Sequence, residues 1–169
     1  MQYLPEIAPL PSTAALVSSV TDFLRAFPDL VAVPLIGEAN AESRILPHEL
    51  PAGDLGRKVP EACILVREPH NPYGEKSSPI GRRRCYVKVH VLASVDVDTR
   101  GYDARAQIDR LHALVAKALV GRTLSVPGAL MAHPLGRATD APAATYDDRY
   151  DALRSAATYL TDLDPAPAD

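Results

Sequence analysis

One segment constrains the fold more than any other. From 85 to 95 the apolar residues Cys85, Val87, Val89, Val91, Ala93 and Val95 alternate with Tyr86, Lys88, His90, Leu92 and Ser94. A period of two with a single apolar face predicts a long β-strand with one side on the core, and it excludes a helix there. Something must cover that apolar face, and two segments have the pattern to do it. Leu16, Val17, Val20, Phe23, Leu24 and Phe27 recur at helical spacing after the possible caps Ser12 and Thr13. Ala104, Ile108, Leu111, Val115, Ala118 and Leu119 do the same between about 102 and 119, with Asp103 in the first turn and Gly121 at the end. The expected fold class is therefore α+β, a mainly antiparallel sheet with two helices packed on one face.

The remaining elements are read from punctuation. The 16 prolines break the chain often. Pro28 is expected to end the first helix, and the apolar run 31–36, interrupted by Pro34, to be an edge strand or extended connection. Residues 62–66 read as a buried strand. Residues 124–126 and 129–137 read as short strands, and 150–162 as a closing strand for which helix is the rival. Segments 37–60 and 68–84 mix Pro, Gly and charged residues and are expected to be loops, as is 140–148; 37–60 and 68–82 are expected to be the most mobile parts of the isolated subunit. The domain plan is an extended arm over 1–11, one α+β domain over 12–163 and a disordered tail over 164–169.

Composition narrows the function classes. With 169 residues, 47% apolar and 23% charged, the chain can bury a core, and it has no apolar stretch long enough to span a bilayer. The first residues lack the basic and apolar regions of a signal peptide. The formal net charge is −3, against the basic excess that phosphate neutralisation demands of a nucleic-acid binder. The charge is uneven. Residues 140–169 hold seven Asp and two Arg, a net of −5, which leaves +2 for the rest, concentrated at Arg82, Arg83 and Arg84. Such polarity suits head-to-tail contact between protein surfaces, and ordinary solvated surface is the alternative.

Catalytic and metal-binding patterns are not found. The chain has no GxGxxG, no GxxxxGK[ST] and no G-x-S-x-G; the five His are scattered; Cys63 and Cys85 fit no metal spacing and read as reduced core thiols. Asp96 and Asp98 resemble a carboxylate pair but sit where a strand turns into a helix. His90, on the polar side of its strand, reads as a surface or subunit contact. No catalytic residue, metal or cofactor is expected.

The order and texture of the chain resemble the tail terminator (tail-completion) family of long-tailed bacteriophages. The resemblance rests on the amphipathic helix 13–27, and on the strand 62–66 leading to the loop with His70, Asn71, Pro72, Tyr73 and Gly74. It rests also on the long strand running through Asp98, Thr99, Arg100, Gly101 and Tyr102 into the second helix, on Ile108 to Leu114 within that helix, and on the final strand 154–163. It implies a non-enzymatic virion protein that caps the tail tube as a hexameric ring, monomeric when free, and joins tail to head. Implied partners are the tail-tube protein and the head connector, with DNA passing through the lumen without sequence-specific contact, no membrane, and host cytoplasm as the place of assembly. Candidate subunit-interface residues are Arg82, Arg83, Arg84, Tyr73, His70, Asp147, Asp148 and Asp151. Another head–tail connector or minor tail component, a small α+β ligand-binding or enzymatic domain, and a nucleic-acid-binding module remain as alternatives.

Overall fold

A computed structural model describes residues 13–50, 61–69, 83–95 and 103–165. The alternating segment forms the centre of the sheet. Strand β3 (Arg83–Ser94) lies antiparallel to β2 (Ala62–Arg67) on one side and to β7 (Ala152–Pro165) on the other. Beyond β2 the two-residue strand β1 (Ile45–Leu46) adds in parallel. The outer edge of β7 is covered in pieces by β4 (Ala129–Ala132), β5 (Gly136–Thr139) and β6 (Thr145–Asp147), each antiparallel to it. Register shifts in the β4 and β5 pairings break this edge into short lengths, which limits its use as a template for another strand.

Helices α1 (Thr13–Arg25) and α4 (Ala104–Leu119) pack on one face. Leu16, Val17, Val20 and Leu24 of α1 and Ile108, Leu111, Val115 and Leu119 of α4 meet Val87, Val89 and Val91 of β3, Ile64 and Val66 of β2, and Ala157, Tyr159 and Leu163 of β7 in a single core. This is the α+β arrangement expected from alternation and helical stripes. The opposite face carries a smaller apolar cluster of Cys63, Leu65, Leu92, Tyr150 and Ala152, with Leu46 and Leu50 against it. Asp103 caps α4 rather than lying within its first turn. Its Oδ1 accepts from the Arg105 and Ala106 amides at 3.0 and 3.3 Å, so two of the otherwise unpaired N-terminal donors are satisfied. At the other end Gly121 takes φ +77°, a left-handed conformation that a side chain would strain.

Five local expectations differ from the structure. Pro28 does not simply end a helix; it opens the short helix α2 (Pro28–Val31), where its fixed φ suits the first position. The run after it is neither strand nor extended. It coils through turns closed by Ile36 N–H to Val33 O at 2.9 Å and Gly37 N–H to the same oxygen at 2.9 Å, burying Leu30, Val33, Leu35 and Ile36. The missing amide of Pro34 is no loss in such a turn. Within the expected loop 37–60, residues 38–46 are ordered as a 3-10 turn (Glu38–Asn40), α3 (Ala41–Arg44) and β1. Long cations hold them: Arg25 donates to the carbonyls of Ile45 (2.8 Å) and Glu42 (3.0 Å), and Arg44 to that of Leu35. The expected loop 140–148 contains β6, and the expected strand 124–126 lies outside the sheet, its Val126 buried against the core. The closing strand is a strand, starting at Ala152 and continuing to Pro165. Among the described residues, no helix is long and apolar enough to cross a membrane. Residues 51–60 and 70–82, where two expected loops fall, lie outside the described residues, as do 1–12 and 166–169.

Candidate functional site

The polar chemistry of the described residues concentrates on the face away from the helices. Strand geometry sets the pattern. Since Cys85, Val87, Val89 and Val91 point to the core, Arg84, Tyr86, Lys88, His90 and Leu92 point the other way. On β7 the partners of His90 and Leu92 in register are Ala156 and Arg154. His90 and Arg154 are therefore diagonal neighbours, within reach of each other.

Arg154 is the hub. Its Nε donates to His90 Nδ1 at 3.0 Å, and its Nη1 and Nη2 donate to the two carboxylate oxygens of Glu49 at 3.2 and 2.9 Å. Nη1 also reaches Asp147 Oδ2 at 3.3 Å. Arg67, on β2, donates to Glu49 Oε2 at 2.5 Å. The Tyr150 hydroxyl lies 3.3 Å from Glu49 Oε1 and 3.2 Å from the Leu50 carbonyl. Asp147 also binds Arg149 through both side-chain oxygens, at 3.1 and 2.8 Å. One guanidinium thus ties together the segment after β1, the centre of β3, strand β6 and its own strand β7.

The electrostatics follow from this packing. Burial raises the Glu49 carboxyl's pKa, but its hydrogen bond and charge contact with Arg154, together with Arg67, outweigh burial and hold it below the usual range. The Arg149 hydrogen bond lowers Asp147 in the same direction against a smaller burial effect. Burial, and then the positive charges of Arg154 and Lys88, push the His90 pKa down to about 3, so its ring is neutral at pH 7 and accepts the Arg154 proton donor. Burial pushes the Cys63 thiol up to about 12, the value of an unreactive core thiol. Cys63 belongs to the cluster on this face and Cys85 to the main core, so the sheet separates the two thiols. Neither is in a disulfide.

The cluster offers two bound carboxylates, three guanidinium groups and a neutral imidazole, all engaged with one another. It lacks a nucleophile beside a base, and among the described residues no group of three His, Cys, Asp or Glu side chains is placed to hold a metal ion. Its chemistry is that of a fastening.

The candidate interface residues separate into two groups. Asp147, Asp148 and Asp151 come together at the β6–β7 turn. Asp147 is engaged as above and Asp148 is exposed. Asp151 takes φ +49° and accepts from the Tyr146 hydroxyl at 2.6 Å. Arg84 is at the other end of the same strand pair, directly opposite Asp162, and binds it at 3.0 Å. At ~3.3 Å per residue the two ends are on the order of 33 Å apart. Arg84 therefore already has an acidic partner within its own chain. Arg83 opens β3 opposite Leu163. Arg82, His70, Tyr73, Asp96 and Asp98 lie outside the described residues.

Sequence reasoning noticed His90 but placed it as a surface contact, and it missed Glu49, Arg67 and Arg154. Their link spans 105 positions between Glu49 and Arg154, and no local spacing encodes it. The usable signal was Arg154 itself, a large cation near the start of a strand whose first half is otherwise Ala, Leu, Ser and Thr. A second unforeseen feature lies in the main core. His112 is almost fully buried, and burial lowers its pKa, partly offset by the Ser155 backbone. The hydroxyl of the fully buried Tyr159 has no hydrogen-bond partner among the described residues.

No protein-family model matches the chain, and no curated protein sequence matches it. Its fold, however, is found in a solved structure. A chain from the virion of a native gene transfer agent particle superposes with a TM-score of 0.61 at 19% sequence identity, over 88% of this chain and 93% of that one. At that identity the likeness is one of fold, and it extends over nearly the whole of both chains.

Proposed function

We propose that this chain is a structural protein of a phage-like virion, and that within the particle it acts as the tail terminator, closing the tail tube as a hexameric ring and joining it to the head. The observation that supports this most is the near end-to-end fold likeness to a chain of a gene transfer agent virion. The finer role rests on the terminator-like order of elements and on polarity: an acidic turn at one end of the β3–β7 pair and the basic run at the other. In a closed ring each subunit presents both surfaces, so one heterologous contact repeats around the circle. Because Arg84 is engaged with Asp162, the intersubunit part of the basic run falls to Arg82 and Arg83, facing Asp148 and Asp151 of a neighbour. The role is non-enzymatic, with tail-tube protein and head connector as partners.

The test is particle composition. Mass spectrometry of purified virions or transfer particles from the producing culture should find this chain at a few copies per particle, and deleting its gene should leave heads and tails unjoined. Absence from particles, or normal particles without it, would contradict the proposal.

A further inference from the structure

Residues 47–50 cross the second face of the sheet, over the apolar cluster that contains Cys63, Leu65 and Leu92. Among the described residues, no backbone–backbone hydrogen bond ties 47–50 to the sheet. They are held by side chains. Glu49 is bound by Arg67 and Arg154, the Leu50 carbonyl by the Tyr150 hydroxyl, and Leu50 rests on the apolar cluster. The contrast with the main core is sharp, since there every strand is laddered and both helices bury continuous stripes.

We propose that residues 47–50 form a detachable strap over the second apolar cluster, latched by Arg154 and Arg67 through the single carboxylate of Glu49, and that this strap opens without unfolding the domain. Opening would uncover Cys63 and Leu65 on the sheet face opposite the helices and leave Cys85 covered. His90 is the positioning residue of the latch. Its neutral ring accepts a hydrogen bond from Arg154 Nε–H and so directs both Nη groups at Glu49 and Asp147. The groups facing His90 are Arg154 of β7, Lys88 of β3, Arg67 of β2 and Glu49 of the strap. A local opening of this kind needs only the strap's own contacts to break, and these are few and carried by side chains. The inference stands on the cluster's geometry and is independent of the virion reading.

The two cysteines provide the test. The full chain is treated at pH 8 with 5,5′-dithiobis(2-nitrobenzoate), and modification of each thiol is followed by mass spectrometry of peptides. Cys63 should react faster than Cys85, because it needs only the strap to open. Glu49→Gln should raise the Cys63 rate by on the order of tenfold, the effect of losing charge-assisted hydrogen bonds, and leave the Cys85 rate unchanged. Arg154→Lys should act in the same direction. The Cys85 rate reports global unfolding, so a variant that is merely unstable raises both. One common rate for the two thiols in the wild type and in both variants, or a Cys63 rate that neither variant moves, would overturn the strap.

Discussion

The two faces of the sheet are built by opposite means. The face under α1 and α4 is closed by apolar area: more than two dozen buried side chains in one cluster, supplied by helical stripes and strand alternation. The other face has a cluster of five buried residues, and its cover is fastened by charge. Apolar burial is non-directional and adds up with area, so the first face is held by many interchangeable contacts, even with His112 and the Tyr159 hydroxyl buried within it. A guanidinium with four directed contacts holds a particular geometry and can be released by altering one partner. The difference teaches where stability resides and where change is possible.

The comparison can be broken most severely from the helix side. Val89→Asp places an unpaired charge in the main core, where Val89 is fully buried, and should cost about 4 kcal/mol or prevent folding. Lys88→Asp, one residue along on the other face, should shift the denaturation midpoint far less. Equal losses would show that the faces are not distinct. Next is Arg154→Ala, which leaves Glu49, His90 and Asp147 without their common partner. A loss of about 2–3 kcal/mol is expected in chemical denaturation.

What was legible in the sequence follows the same division. The strand centred on Val89 and the two helices were visible because each buries one continuous side, and periodicity reports that directly. The turns over 28–46 were not. Their order depends on Arg25 and Arg44 reaching distant carbonyls, and the apolar residues among them, broken by Pro34 and Gly37, follow neither the strand nor the helix period. The charged cluster was less legible still. Glu49, Arg67, His90, Asp147 and Arg154 come from five segments, and only the β3–β7 register brings His90 beside Arg154.

Acid should affect the two faces differently. The folded-state pKa of His90 is depressed to about 3, so between the ordinary histidine range and pH 3 the unfolded chain binds a proton that the folded chain does not. Stability should therefore fall as pH drops below about 6.5, by up to ~2.7 kcal/mol at pH 4.5. Glu49 and Asp147 are also lowered, and their contribution is present above the unfolded carboxylate range and is lost as pH falls through it. Denaturation of the His90→Gln variant should show a shallower slope between pH 6.5 and 4.5, the remainder belonging to the buried His112, whose pKa is also lowered; an unchanged slope would contradict the role of His90. A smaller effect belongs to the helix side. Asp103→Ala removes the α4 cap and should cost about 1 kcal/mol by thermal melting.

The smallest expected effect on the isolated subunit comes from the surface ends of the strand pair. Replacing Arg82, Arg83 and Arg84 together with Glu should leave the melting temperature nearly unchanged, because the described ion pair there, Arg84 with Asp162, is exposed. Its effect should appear only in assembly, as loss of ring formation and tube capping.

That separation of folding from assembly leads to the decisive measurement. Tail tubes assembled with this chain, gold-labelled and viewed by electron microscopy, locate it directly. A terminator should appear as a six-fold ring with label at one end of the tube, and the triple Glu variant should leave that end bare. Label along the whole tube, or none on it, would contradict a terminator role.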